Sequence, residues 1–218
     1  MSSEPATVES LPRVEEVLTL LDWKRRIFSL YREVRIAPEP QAAWKRWREV
    51  RDALFRAHPQ SPLSEERRAS FTGIEYFSYR PDGRVFADVV PLEPELVSIG
   101  ASAGKELVFE RFGQARFELW DQKCSLDLYW LDAYGGGLFL PFADETGGSE
   151  TYPAGRYLLD TVKGADLGSA GGELVLDFNF AYNPSCAYDP RWVCPLAPPA
   201  NRLAMPVRFG ERSPGDGA

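Results

Sequence analysis

The stretch EYFSYRPDGRVFADVV, residues 75–90, decides the fold. Residues 75–79 and 84–89 are aromatic and β-branched runs on either side of Pro81, Asp82 and Gly83, a type I turn signature. Further on, residues 106–112 and 115–121 flank Gly113 as a second expected hairpin, and residues 125–131 alternate in polarity. Residues 138–142, 156–162, 173–178 and 204–209 bring the expected total to about nine strands. The glycine runs at 135–137, 147–148 and 171–172 read as turns. Strands this closely spaced, with no βαβ rhythm and no internal repeat, predict an antiparallel β-barrel or sandwich.

Towards the N terminus the period changes to that of helices. Ser10 is placed to cap a first helix with Pro12 in its opening turn, and Val14, Val17, Leu18, Leu21, Phe28 and Tyr31 mark one face. Pro40 suits the first turn of a second helix whose stripe is Ala43, Trp44, Trp47, Val50 and Leu54. That helix is expected to stop at His58, because the ring of Pro59 disfavours helical backbone before it. The expected fold is therefore mainly β with an N-terminal α-helical hairpin, an α+β class. Residues 1–9 and 212–218 read as disordered tails, 10–70 as the hairpin, and 71–211 as the β domain. Within it, 179–203 is a proline-rich segment expected to wrap the sheet, because its prolines forbid a helix or a central strand.

Composition narrows the function classes. A chain of 218 residues buries enough surface to fold without a disulfide or a metal. The net charge of −7 is uneven: residues 71–218 carry 12 Lys and Arg against 21 Asp and Glu, a net −9, while residues 1–70 carry 13 against 11, a net +2. An acidic body repels phosphate backbones, so no nucleic-acid partner is expected. No leader-like run opens the sequence and no apolar run reaches membrane-spanning length, so a cytoplasmic protein without a membrane partner is the expectation. Oligomeric state is not legible.

Two segments are denser in polar and rigid residues than packing requires: DETGGSETYPAGRYL at 144–158 and LDFNFAYNPSCAYDPRWVCPLAPPANRL at 176–203. Asp144, Glu150, Tyr152, Arg156, Asp177, Asn179 and Asn183 are the candidate ligand-binding residues. A carboxylate pair with an arginine supplies an acid, a base and an anion clamp. The bland alternative is a structural Asp177–Arg156 ion pair with Asn183 capping a turn. Cys186 and Cys194 read as a structural pair of packed thiols, with a disulfide or a pair of metal ligands as the alternatives. Their eight-residue spacing and the single histidine make a metal site a weak reading, so no metal and no cofactor are expected. His58 reads as a helix-terminal group satisfying carbonyls, and the absence of a G-x-S-x-G elbow argues against a serine triad.

These two segments resemble the hallmarks of an uncharacterised family of bacteria and archaea, the domain of unknown function DUF 1684. Its DFN-x-AYNP-x-CA, CPLPP-like and NRL elements match residues 177–203, and its T-x-G-x-x-TY-x-x-GR element matches 146–156. HPQSPL at 58–63 is similar to a feature of one branch, and Ala197 departs from the usual proline. The resemblance implies a shared site and assigns no reaction. Three functions stay open: a small-molecule-binding domain with a polar pocket beside the proline-rich segment, a metal-independent hydrolase or lyase using carboxylates, and a protein-interaction module.

Overall fold

The computed structural model describes residues 14–215. The expected cap at Ser10, Pro12 and the tail over 1–9 lie outside these residues, as does the end of the C-terminal tail. Helix α1 (Val14–Ile36) and helix α2 (Pro40–Ala57) form the expected hairpin, and a short α3 (Glu65–Ser70) is capped by Ser64, whose hydroxyl accepts from the Arg67 amide. The α2 stripe is buried as its spacing predicts, at Ala43, Trp44, Trp47 and Leu54, together with Arg51 and Phe55. On α1 the buried residues are instead Ile27, Leu30 and Tyr31. Val14, Val17, Leu18, Leu21 and Phe28 are exposed, so only Tyr31 of the expected face meets the core.

Seven strands follow among the described residues: β1 (Arg84–Gly100), β2 (Glu106–Leu119), β3 (Gln122–Trp130), β4 (Leu138–Phe142), β5 (Arg156–Asp160), β6 (Ser169–Ala170) and β7 (Glu173–Asp177). They form one antiparallel sheet in the order β5-β4-β3-β2-β1-β7-β6. The sheet is open in its strand order, but a bridge from Tyr157 of β5 to Tyr182, just beyond β7, ties its two ends together. The protein is thus mainly β with N-terminal helices, an α+β fold.

Two of the nine expected strands are absent. Residues 75–79 contribute only a bridge from Tyr76 to Glu211, and residues 204–209 run as irregular backbone. Gly113 is not a turn either: it lies inside β2 opposite Pro91, where the register with β1 slips. A Cβ there would sit 3.1 Å from the Val90 carbonyl, so glycine permits the close approach of the two strands. The hairpin turn falls later, at Trp120 and Asp121, both with positive φ (53° and 58°). That pairing is the geometry of a tight turn between twisted strands.

The proline-rich segment crosses the ends of the strands. The Leu196 amide donates to Gly100 O and the Leu203 amide to Ala143 O. Asn201, wholly buried, pins it further: Oδ1 accepts from the Asp127 amide at 2.9 Å, and Nδ2 donates to the carbonyls of Asp127 and Pro141. The C-terminal tail starts later than residue 212, because the amides of Arg212 and Ser213 donate to Glu75 O and Glu150 O. Among the described residues, no helix is long and apolar enough to cross a membrane.

Candidate functional site

Asp144 and Arg156, both buried, form an ion pair with Nη2 to Oδ2 at 2.8 Å. β5 supplies Arg156, and the turn after β4 supplies Asp144. The other carboxylate oxygen accepts from the Thr146 amide, the Thr146 hydroxyl and the Val207 amide. Arg156 also donates to the carbonyls of Val207, Phe209 and Glu211, and its guanidinium lies over the Phe142 ring. Burial disfavours the Arg156 charge and Asp144 opposes that effect. Both carboxylate oxygens and both terminal guanidinium nitrogens of this pair bond protein groups, clamping residues 207–211 against the sheet. Glu150 serves the same segment through an ion pair with Arg208 at 2.8 Å.

A second buried centre adjoins it. Glu211 receives Arg51 on Oε1, and the Asn183 amide at 2.7 Å and Tyr188 hydroxyl at 2.8 Å on Oε2. Arg51 reaches it from α2, with its guanidinium over the rings of Trp47, Phe55 and Tyr182. Burial is the largest single effect on Arg51 and disfavours its charge, but Glu211 together with Tyr76, Tyr188 and Tyr31 outweighs it and holds the group above its ordinary range. Burial raises the Tyr188 hydroxyl, reinforced by Glu211, so it stays a neutral donor.

Asp177 and Asn179 stand apart from these centres and bond each other. Asp177 Oδ1 accepts from the Asn179 amide and from Nδ2, while Asn179 exchanges two bonds with the Arg80 backbone and its carbonyl accepts from the Trp44 indole. The bland alternative of an Asp177–Arg156 pair is replaced by Asp144–Arg156. Asn183 is not seen capping a turn; it ties the segment to the C-terminal end of the chain, donating through Nδ2 to Arg212 O at 2.7 Å. Tyr152 points elsewhere, its hydroxyl 3.7 Å from the Cys186 sulfur, and Cys124, Cys186 and Cys194 are free thiols. His58 ends α2, its backbone amide donating to Leu54 O, but its ring does not bond the helix carbonyls. Its Nδ1 accepts from the Gln60 amide, which leaves Nε2 to donate to Asp22 at 3.1 Å.

Arg51 and Glu211 escaped the sequence reading. One signal was available: Arg51 occupies an apolar-stripe position of α2, four residues after Trp47, where a charge needs a buried partner.

Between α1, α2 and residues 182–185 lies a pocket of about 70 Å³, lined by Tyr31, Arg51, Tyr157, Lys163, Tyr182 and Asn183 among others. Two of its lining residues carry a buried polar atom with no protein partner, the Tyr31 hydroxyl and Asn183 Oδ1. The Trp47 indole nitrogen is near the hydroxyl but outside hydrogen-bonding geometry. A larger groove of about 770 Å³ runs between the outer faces of α1 and α2, yet none of its lining residues carries such an atom.

Fold and site together define an α+β protein in which a helical hairpin caps an antiparallel sheet over a buried network of two arginines and two carboxylates. The chain belongs to the family described as Protein of unknown function (DUF1684), which matches residues 69–212. It is similar to an uncharacterised protein of Haloarcula marismortui solved by solution NMR. The two are 35% identical, the match covers 79% of this chain and 93% of that one, and the TM-score is 0.57. No curated protein matches.

Proposed function

We propose that the chain binds a compact polar small molecule in the pocket beside the proline-rich segment. The observation that carries this reading is the pair of unsatisfied buried atoms, the Tyr31 hydroxyl and Asn183 Oδ1, on two walls of one pocket. Buried polar groups are almost always paired, so two exceptions in one place mark where a guest supplies the missing bonds. A hydroxyl that donates and a carbonyl that accepts suit an amide or hydroxylated group. Arg51 is already neutralised by Glu211, so the pocket's spare positive charge is Lys163 at its rim, itself 3.4 Å from Asp160. A neutral or singly charged ligand fits that balance. Of the residues expected from the sequence, Asn183 belongs to this pocket; Asp144, Glu150, Arg156, Asp177 and Asn179 support the walls or lie elsewhere.

The carboxylate acid–base reading has less support, because Asp144 and Glu211 bond protein groups on both oxygens. The docking reading loses most of its aromatic patch: Tyr188 is buried, and Trp192 is half-buried with its indole donating to Pro62 O. The reading of a cytoplasmic protein is part of this proposal, supported by three unpaired thiols. A panel of small amides, hydroxy acids and alcohols tests the reading by thermal shift. A true ligand at a hundredfold excess over its Kd stabilises the protein by about 2.7 kcal/mol. Ser185→Trp, which fills the pocket rim, is expected to abolish that gain. A gain that survives the substitution, or a panel without any, overturns it.

A further inference from the structure

The loop from Cys186 to Cys194 carries chemistry that the pocket does not use. Cys186 sits in a 3-10 turn, Ser185–Ala187, directly after Pro184. The chain then reverses, with the Trp192 amide donating to Asp189 O, and brings Cys194 back beside Cys186. The return is fixed from outside the loop by Ser102. Its hydroxyl accepts from the Cys194 amide and donates to Trp192 O, both at 2.9 Å, while the Ser102 amide donates to Cys194 O. Tyr152 closes the other side of Cys186 at 3.7 Å.

The two sulfurs differ in the way a thiol exchange requires. Cys186 is half-buried and accessible, whereas Cys194 is 3% exposed. The neighbouring Cys194 thiol holds Cys186 below its ordinary value against burial, and the same proximity, with burial, raises Cys194. Cys124 lacks this setting: it lies on β3 with its thiol turned to the Gln122 carbonyl, and burial raises it.

We propose that Cys186 and Cys194 are a reactive thiol pair that exchanges with a low-molecular-weight disulfide, Cys186 attacking and Cys194 resolving. The Cys186 thiolate attacks one sulfur of the oxidant, whose S–S bond breaks and releases one thiolate. Cys194 gives up its proton and attacks the Cys186 sulfur of the mixed disulfide, expelling the second thiolate. Two protein thiols are oxidised to one disulfide, and one small disulfide is reduced to two thiols. The product links the two ends of the loop, and reduction reverses it.

The test uses the full, reduced chain in its native state. After incubation with oxidised glutathione, tryptic mapping without reductant is expected to find Cys186 and Cys194 joined, with cleavage after Arg191 leaving two peptides held by the link. Cys124 stays free, and dithiothreitol undoes the link. With iodoacetamide, Cys186 is expected to react about tenfold or more faster than Cys124. Cys194→Ser should stop the reaction at a glutathione adduct on Cys186, and Cys186→Ser should prevent both products. If Cys194→Ser does not fold, the wild-type map still decides. A native protein that forms no Cys186–Cys194 link, or whose Cys124 reacts as fast as Cys186, overturns the proposal.

Discussion

At the scale of single residues, Asp177 carries the clearest consequence. Its Oδ1 holds two bonds to Asn179, but its buried Oδ2 has no protein partner. The space beside it is about 10 Å³, at the margin of what one water needs. Burial therefore raises its carboxyl above the ordinary 3.8, against the bonds from Asn179 and the charge of Arg84. A raised acid favours the protonated folded state. Its stability is full below the unfolded value and falls as pH rises through the folded one. At pH 7 the charge is a net penalty. Asp177→Asn keeps the shape and an acceptor for Asn179, so it is expected to raise stability at pH 7 by on the order of 1 kcal/mol. The gain should vanish as pH falls towards 3.8, which urea midpoints at a series of pH values will measure. A loss at pH 7 would show that the ionised carboxylate is needed where it stands.

At the scale of elements, the β2–β3 hairpin sets the register of the sheet with two residues in left-handed backbone, Trp120 and Asp121. Trp120 is held there by its neighbours, stacked on Phe209 at 5.2 Å with its indole donating to Asp82 at 2.7 Å. Asp121 has the side-chain type that tolerates such backbone, and a β-branched residue does not. Asp121→Val is expected to cost about 1–2 kcal/mol in chemical denaturation. An unchanged midpoint would mean that the turn relaxes freely. The same hairpin marks the limit of what the sequence discloses. Helical spacing located α1 and α2 because it is a property of neighbouring residues. The role of Gly113 is set by the Val90 carbonyl of the strand beside it, so a local reading mistook a close approach for a turn. The candidate site divides in the same way. Asp144, Arg156 and Asn183 stood out by the polar density of their own segments. Arg51 and Glu211 are 160 positions apart and look like surface charges until the fold joins them.

At the scale of the whole molecule, the family match begins at residue 69, after α2, yet the structure ties the helices into the body. Arg51 neutralises a fully buried Glu211, the Trp44 indole donates to Asn179 O at 2.9 Å, and Trp47, wholly buried, packs edge-on against Phe180. Stripping one partner from a buried ion pair costs about 3–5 kcal/mol, a large part of the roughly 5–15 kcal/mol that holds a domain together. Removing the hairpin also uncovers the apolar surface under both tryptophans. A chain beginning at Glu65 is therefore expected to lose cooperative unfolding and to give a poorly dispersed amide spectrum. Arg51→Met in the full chain isolates the electrostatic share: it keeps the apolar contacts and should lower stability by about 3 kcal/mol or more. If the shortened chain unfolds cooperatively with a dispersed spectrum, the helices are an appendage and Glu211 has found other partners. If it fails while Arg51→Met is nearly neutral, the tryptophan contacts hold the hairpin down and the buried ion pair serves to fix its register.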